Sequence, residues 1–206
     1  NLTEPQAGSD TSLIEATAKW ENGKWHVSGE KTFITVGTEA DYAIVYAKTL
    51  GRGVDGELTA FIVPLKNTAG VTVTHLDDMS GQGGTGTATI AIQDLVLADE
   101  DILGEIDGLG RGKEMAFATL AAGRVSITSI ILASLETALS EAVEGYRRRL
   151  DLGLTAEESQ TIESQLWNLM ADAYSARLLL MEAARYRDAG DDAKADFILG
   201  VSLANL

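Results

Sequence analysis

Cysteine is absent from this chain of 206 residues, and histidine and proline occur only twice each. Without cysteine the chain has neither disulfides nor thiol chemistry, and the isolated His26 and His75 are too far apart in sequence to suggest a metal site. No apolar run approaches the roughly 20 residues that a membrane span needs. Nothing near Asn1 combines a basic start with an apolar stretch, as a signal peptide would. We therefore expect a soluble protein without a metal, a signal peptide or a membrane span.

Positive charge is also scarce, because 16 Lys and Arg stand against 31 Asp and Glu, a net charge of −15. Nucleic acid requires a basic face, so this class of partner is excluded. The one dense basic cluster is Arg147-Arg148-Arg149. Local cations can still bind an anionic ligand, since the field near a site need not follow the net charge. A first residue that is Asn rather than Met is typical of a piece of a longer protein.

Short β-type runs separated by turns occupy the chain up to about residue 98. Asn22-Gly23 between two of these runs is a strong hairpin signal, because both central residues of the turn need a positive φ. The alternation of apolar and polar residues predicts an antiparallel sandwich or barrel. The predicted strands are residues 14–20, 25–27, 42–47, 59–63, 71–75 and 87–92.

After Leu103-Gly104 the composition becomes rich in Ala, Leu and Glu, with apolar residues three and four apart. This spacing predicts a helix from Met115 to about Arg149. A second helix is predicted to begin at Thr155, whose sequence Thr-Ala-Glu-Glu fits a capping box. A third helix is predicted from near Asp191 to the last residue.

The fold class is therefore predicted as α+β, an antiparallel β domain followed by long helices. We expect a β domain at residues 1–100 and, at residues 101–206, part of a helical bundle. Two long amphipathic helices and a short third do not complete a four-helix bundle, so further helices are expected from elsewhere in the protein.

Two short segments combine polar side chains with unusual backbone freedom. Residues 1–10 (NLTEPQAGSD) place hydroxyls and carboxylates around Pro5, which fixes its own φ, and Gly8, which lets a ligand approach the main chain. Residues 31–35 (KTFIT) end the next hairpin with an aromatic residue and a hydroxyl two positions apart. A surface turn and ordinary strand packing are the simpler interpretations of each segment alone. Their occurrence together favours a ligand site.

Together these segments resemble the flavin-facing part of the acyl-CoA dehydrogenases. The motifs are L-T-E-P-x-A-G-S-D at residues 2–10 and G-x-K-x-F-I-T at residues 29–35. The resemblance continues through Asp94, Leu103-Gly104 and Ala122-Gly123-Arg124, and it covers almost the whole chain in family order. It implies the middle β domain and part of the C-terminal helical domain of such an enzyme.

The resemblance implies FAD as cofactor and an acyl-CoA thioester as substrate. The implied reaction is α,β-dehydrogenation to the trans-2-enoyl-CoA, with hydride transfer to the flavin N5. Threonine hydroxyls and main-chain groups would bond the flavin ring, and an aromatic side chain would pack on it. The residues implied to bind the cofactor are Leu2, Thr3, Phe33, Ile34, Thr35, Arg149 and Gln160, and those implied to contact the substrate are Ser9 and Arg124.

The family resemblance also implies an assembly, because Arg149 and Gln160 would contact the FAD of a neighbouring subunit. A homo-oligomer (a dimer of dimers, hence a homotetramer) or a hetero-oligomer is expected. Electron-transferring flavoprotein is the implied electron acceptor, in fatty acid β-oxidation, and the compartment is the cytoplasm of a bacterium or the mitochondrial matrix of a eukaryote. An Arg can bind a pyrophosphate through two hydrogen bonds. Two simpler interpretations stay open: Arg149 as a basic helix terminus favoured by the macrodipole, and Arg124 as a solvated or ion-paired helix residue.

The chain departs from the family pattern at several positions. Leu152 stands where a Phe usually precedes Gly153, and Leu154-Thr155 replaces the usual Arg-Pro. Gly83 replaces a common Arg of the β domain, and Ala121 replaces a common acidic residue before the Gly-Arg pair. These changes affect positions that the family uses for FAD and substrate contacts.

No catalytic residue is predicted in this chain. One family position of the catalytic glutamate is Gly123 here, and the other lies beyond Leu206. Two alternatives to a dehydrogenase therefore stay open. One is a non-catalytic, flavin-binding partner subunit of a hetero-oligomeric dehydrogenase, and the other is an oxygen-using relative, either an acyl-CoA oxidase or a flavin monooxygenase.

Overall fold

A computed structural model of the chain describes residues 1–204. The chain folds into two compact units, and the first of these ends at Phe117. The predicted end of the third helix at Leu206 lies outside the described residues.

The first unit is built on six strands that form one hydrogen-bonded sheet in the order β4-β3-β1-β2-β6-β5. All neighbouring strands are antiparallel except β1 and β3, which are parallel. The predicted α+β class and the six predicted strand positions are confirmed. The strands are β1 (Thr17–Glu21), β2 (Lys24–Ile34), β3 (Tyr42–Leu50), β4 (Leu58–Pro64), β5 (Val71–Leu76) and β6 (Ala88–Leu97).

Several details of the sheet differ from the prediction, including the first strand, which begins at Thr17 rather than Ile14, and the last, which continues to Leu97 rather than ending at Ile92. The parallel pair arises because β2 occupies one edge of β1 and β3 returns along the other edge, with Thr17 opposite Lys48. The predicted end of β2 at Val27 is wrong, since the strand continues to Ile34. Its pairing with β6 shifts register between Val27 and Gly29, so the strand passes the glycine through an irregularity rather than stopping there.

The first unit has one large apolar core, and a smaller cluster of Tyr46, Ala60 and Ala116 is buried separately from it. Trp25 and Phe61 are fully buried and their rings meet edge to face, with centroids 5.9 Å apart. The start of the first long helix packs on β4 at Gly112, where a Cβ atom would lie 2.8 Å from the carbonyl oxygen of Leu58. Only glycine allows this approach of helix and strand backbones.

Three helices follow: α1 (Gly112–Asp151), α2 (Ala156–Asp188) and α3 (Asp192–Ala204). The predicted capping box at the start of α2 is confirmed. Thr155 Oγ1 accepts a hydrogen bond from Glu158 N (3.3 Å), and Glu158 Oε2 accepts one from Thr155 N (3.0 Å). Helices α1 and α2 pack through a small apolar cluster whose buried members are Leu132, Leu139, Ala173 and Ala176.

Within residues 1–204, helix α1 is the one helix that is long and apolar enough, by length and composition, to cross a membrane. The expectation that no segment has this property is therefore wrong for α1, because Ala, Gly, Ser and Thr interrupt its apolar run without making it polar. A helix in the core of a soluble protein passes the same test, so length and composition alone do not assign α1 to a membrane.

Candidate functional site

The first residues of the chain form a compact loop against strand β2. Glu4 and Ala7 exchange two backbone hydrogen bonds of 3.0 Å, which close a tight turn around Pro5. Thr32 N donates to the carbonyl oxygen of Thr3 at 3.0 Å. The structure thus brings the loop of residues 1–10 next to residues 31–35, the two segments that carry the motif.

A buried ion pair holds this loop in place. Lys31 Nζ lies 2.6 Å from Glu4 Oε1, and the side chains are only 1% and 2% exposed. Burial lowers the pKa of Lys31, an effect that the hydrogen bond to the Glu4 carboxylate partly offsets. The ammonium group also donates to the carbonyl oxygen of Leu2 at 3.2 Å. The carboxylate accepts further bonds from Glu15 N (2.7 Å) and Ala16 N (3.2 Å).

Phe33 lies at an irregularity of strand β2. Its φ is 56°, in the left-handed region, and the pairing of β2 with β6 shifts register between Lys31 and Ile34. As a result the Phe33 ring is 63% exposed while the Ile34 side chain turns into the core. The Ile34 side chain is therefore withdrawn from the surface, and the Ile34 carbonyl oxygen accepts a hydrogen bond from Gly37 N at 3.1 Å. A large aromatic residue in this conformation is strained, and such strain is concentrated at functional sites.

The hydroxyl groups of the two motif segments differ in whether they have partners. Thr32 Oγ1 is buried and lies 2.9 Å from Thr89 Oγ1. By contrast, the hydroxyls of Thr3, Thr35 and Ser9 form no hydrogen bond with any of the described residues. Thr35 and Ser9 are exposed and Thr3 is partly buried.

Free hydroxyls and an exposed aromatic ring suit a planar ligand with a polar edge. The residues present therefore fit the isoalloxazine ring of a flavin, which needs hydrogen bonds at its polar edge and a packing surface on its face. Among residues 1–204 no group of three or more His, Asp and Glu side chains is placed to hold a metal ion.

The other predicted site residues, Arg124, Arg149 and Gln160, lie in the helical unit. Arg124 is half exposed, and its Nη1 is 3.6 Å from Asp196 Oδ2. The other oxygen of Asp196 accepts a bond from Arg187 Nη2 at 2.6 Å. Neither Arg187 nor Asp196 stands out in the sequence, since a basic residue at the end of a helix and an acidic one near the start of the next are common.

Arg149 and Gln160 are exposed and form no hydrogen bond or ion pair with the rest of residues 1–204. They lie near the end of α1 and near the start of α2. These helix ends are tied together by Tyr146, whose hydroxyl oxygen lies 2.5 Å from Ser159 Oγ and 2.5 Å from Glu163 Oε1. The guanidinium of Arg149 is thus available to an anion, and the helix end that carries it is fixed to the start of α2.

Comparison with known proteins identifies the family. The family model of the acyl-CoA dehydrogenase middle domain matches residues 1–95, and that of the acyl-CoA dehydrogenase C-terminal domain matches residues 110–204. The chain belongs to the acyl-CoA dehydrogenase family and contains its middle and C-terminal domains, as the motifs implied. This family is FAD-dependent.

Individual relatives are similar over nearly the whole chain. The chain is 34% identical over 205 residues to the mitochondrial short-chain specific acyl-CoA dehydrogenase of Homo sapiens, covering 100% of this chain and 48% of that protein. It is 35% identical over 193 residues to the 3-(aryl)acrylate reductase of Clostridium sporogenes, covering 93% of this chain and 50% of that protein. It is also 33% identical over 188 residues to the caffeyl-CoA reductase-Etf complex subunit CarC of Acetobacterium woodii, covering 91% and 48%.

Among solved structures, the butyryl-CoA dehydrogenase of Megasphaera elsdenii matches with a TM-score of 0.80 at 32% identity, over 98% of this chain and 53% of that one. The chain therefore spans about half the length of the relatives it matches. Family relatives act on acyl-CoA substrates, and one is named as part of a complex with Etf, the electron-transferring flavoprotein.

Proposed function

We propose that the protein containing this chain is an FAD-dependent acyl-CoA dehydrogenase that converts an acyl-CoA thioester into its trans-2-enoyl-CoA. The observation that carries the proposal is the arrangement around Phe33. The Phe33 ring is exposed on a backbone with φ of 56°, and the preceding residue, Thr32, is hydrogen-bonded to Thr3. The hydroxyls of Thr3 and Thr35 have no partner among the described residues. When bound, FAD supplies the hydride acceptor of the reaction.

Five residues of the first unit contact the flavin in this proposal. The hydroxyls of Thr3 and Thr35 and the main chain of Leu2 and Ile34 bond the polar edge of the flavin. The Phe33 ring packs on the flavin and excludes water from it. Because the Ile34 side chain is in the core, its contribution comes from the backbone alone.

Ser9 and the helical unit provide the remaining proposed contacts. The exposed hydroxyl of Ser9 and the half-exposed guanidinium of Arg124 bind the CoA portion of the substrate. Arg149 and Gln160, both exposed, bind the FAD of a neighbouring subunit, where an Arg suits the pyrophosphate. No residue of this chain is proposed as the base that takes the α-proton, since Gly123 stands at one family position of the catalytic glutamate.

This shared cofactor site requires an oligomer, and we propose a dimer of dimers or a hetero-oligomer. Electrons leave to an electron-transferring flavoprotein, which the name of the Acetobacterium woodii relative supports. The proposed setting is fatty acid β-oxidation, in the cytoplasm of a bacterium or the mitochondrial matrix of a eukaryote. We propose that the apolar surface of α1 is covered by other protein in this assembly, so that the protein is soluble.

The test is anaerobic mixing of the full-length, FAD-loaded protein with butyryl-, octanoyl-, palmitoyl- and 3-phenylpropionyl-CoA. Bleaching of the flavin absorbance, with an enoyl-CoA product detected by mass spectrometry, is expected with at least one of them. Bound FAD that no substrate bleaches would contradict the proposal and favour a non-catalytic partner subunit. Bleaching followed by rapid reoxidation in air would favour an oxidase or monooxygenase.

A second candidate is the reverse reaction, reduction of an enoyl- or arylacryloyl-CoA. It is favoured by the two relatives named as reductases, at 35% and 33% identity, which are as similar to this chain as the dehydrogenases are. Here the flavin reduced by dithionite would be reoxidised faster by cinnamoyl- or crotonyl-CoA than the oxidised flavin is bleached by the saturated thioester. A faster bleaching than reoxidation would assign the dehydrogenase direction.

A further inference from the structure

We infer that the buried Glu4–Lys31 ion pair is a positioning element of the flavin site, which fixes the main chain of Leu2 and Thr3 beside residues 31–35. The inference rests on the proposed function, because it assigns to this pair the orientation of groups that would bond the flavin. Neither Glu4 nor Lys31 is among the residues proposed above to touch the cofactor or the substrate.

The geometry joins three consecutive residues of the loop to two consecutive residues of strand β2. Lys31 Nζ donates to the carbonyl oxygen of Leu2 at 3.2 Å and to Glu4 Oε1 at 2.6 Å. Between these two points, Thr32 N donates to the carbonyl oxygen of Thr3 at 3.0 Å. The backbone of Thr3 is thus held on both sides, which fixes the point from which its side chain projects.

The carboxylate of Glu4 also accepts hydrogen bonds from the residues that precede strand β1. Its Oε2 accepts bonds from Glu15 N at 2.7 Å and from the side-chain amide of Gln6 at 2.8 Å, and its Oε1 accepts one from Ala16 N at 3.2 Å. One side chain therefore connects the loop, the residues before β1 and, through Lys31, strand β2. A change of loop position would break several of these bonds at once.

Stability alone does not account for burying these two charges. Removing both ions from water is costly, and apolar residues of similar volume often replace a buried ion pair without loss of stability. What an apolar pair cannot supply is direction, because hydrogen bonds fix the position of the Leu2 carbonyl and packing does not. The pair is therefore suited to holding a particular loop conformation.

The experiment uses the full-length apoprotein and compares Glu4→Leu/Lys31→Met with the wild type. FAD affinity is measured by quenching of flavin fluorescence, and order in the loop by hydrogen exchange of residues 1–10. The double variant also removes the carboxylate that accepts hydrogen bonds from Glu15 N and Ala16 N, so its melting temperature should fall. A positioning role predicts that its loss of FAD affinity exceeds the loss in a control variant of similar melting temperature. It also predicts that the variant binds FAD about tenfold more weakly, because the hydrogen bonds that orient the loop are gone. Exchange in residues 2–4 should become faster.

A control separates loop position from general destabilisation. Val63→Ala removes methyl groups from a fully buried position of β4 and lowers the melting temperature without touching the loop. Its FAD affinity should stay within about twofold of the wild type. Wild-type FAD affinity and exchange in the double variant would overturn the inference, as would an equal loss of affinity in Val63→Ala.

Two further arms keep the outcome decisive. If the double variant does not fold, Glu4→Gln keeps the shape and one acceptor oxygen, and it should weaken FAD binding about threefold by loosening Lys31; unchanged binding and exchange would overturn the inference. If the wild-type apoprotein binds no FAD, the proposed function fails. Hydrogen exchange then decides alone, since slow exchange of residues 2–4 in the wild type and fast exchange in the variant still establish the anchor.

Discussion

Arg187 Nη2 lies 2.6 Å from Asp196 Oδ1, a contact that joins the last turn of α2 to α3. The same nitrogen donates to the carbonyl oxygen of Ala121 on α1 at 3.2 Å, and Nη1 of the same guanidinium is 3.1 Å from Asp192 Oδ1. One guanidinium group therefore connects all three helices next to Arg124. Asp196 holds both arginines at once, at 2.6 Å and 3.6 Å.

The substitution Arg187→Met should destabilise the helical unit by about 1–3 kcal/mol, because it leaves two carboxylates of a partly buried cluster without their strongest partner. Chemical denaturation followed by circular dichroism measures the effect. Arg147→Met is the control, since Arg147 forms an exposed pair with Glu144 and should cost no more than about 0.5 kcal/mol. Equal losses in the two variants would show that the three-helix connection adds nothing.

Replacement of threonine by valine at three positions tests the distinction between free and bonded hydroxyls. Thr3→Val and Thr35→Val should each weaken FAD binding about three- to tenfold and leave the melting temperature unchanged, since each hydroxyl has no partner among the described residues. Thr32→Val should instead lower the melting temperature and leave FAD binding unchanged, because it leaves the buried Thr89 hydroxyl unpaired. FAD titration and thermal melting of all three variants give the result, and a melting-temperature loss in all three would contradict it.

The substitution Phe33→Gly should raise stability and lower cofactor affinity together. Glycine adopts a φ of 56° without the strain of about 1 kcal/mol that a bulky residue bears there. The same change removes the aromatic ring proposed to pack on the flavin. Urea denaturation and FAD titration should therefore move in opposite directions.

Glu30→Gly is the matched control for Phe33→Gly, because Glu30 is exposed on the same strand and is not among the residues with positive φ. This change should destabilise by about 0.5–1 kcal/mol and leave FAD affinity unchanged. If both glycine variants lose stability equally, the backbone of Phe33 bears no strain.

Acid should weaken the contact between Asp99 and Arg52. Burial raises the pKa of the Asp99 carboxyl, but hydrogen bonds from Arg52 (2.6 Å) and Trp25 (2.9 Å) outweigh it and hold the pKa below 3.8. At a pH near 3.8 the unfolded state therefore binds more protons than the folded state. The contribution to stability is fully present above 3.8 and is lost as the pH falls through the folded-state pKa.

The difference in unfolding free energy between the wild type and Arg52→Met should thus be constant near neutral pH and shrink below 3.8. Urea denaturation across this range measures it. Lys66→Met, which breaks the exposed pair with Asp41, is the control for a general effect of removing a cation. A difference for Arg52→Met that stays flat down to the lowest pH would contradict the assignment to Asp99.

The elements of the fold could be predicted because their signals are local. The alternation of apolar residues marks strands, and the Thr155 cap depends on residues within one helical turn. The parallel pairing of β1 with β3 could not be predicted in this way, since it joins Thr17 to Lys48 across the intervening hairpin. Alternation says which face a residue occupies, but it does not say which strand lies beside it.

The two motif segments of the proposed site could be picked out from the sequence, but the residues that support them could not. A charged residue in a strand is expected at the surface, so the burial of Lys31 and Glu4 could not be predicted from residue type. One signal was present: Lys31 continues the inward alternation of Trp25 and Val27, which places its side chain on the core face. The Arg187 cluster had no such signal, because its partners come from separate helices.

The strand order of the sheet also shapes how the chain folds. Neighbours in sequence pair as β1–β2, β3–β4 and β5–β6, so three hairpins can form from local contacts. Only the β1–β3 and β2–β6 pairings join them, and each requires closure of a longer loop. Docking of preformed hairpins, rather than hairpin formation, should therefore limit the folding rate. During synthesis, one edge of β2 stays unpaired until β6 has left the ribosome, which makes it the strand most exposed to pairing with another nascent chain.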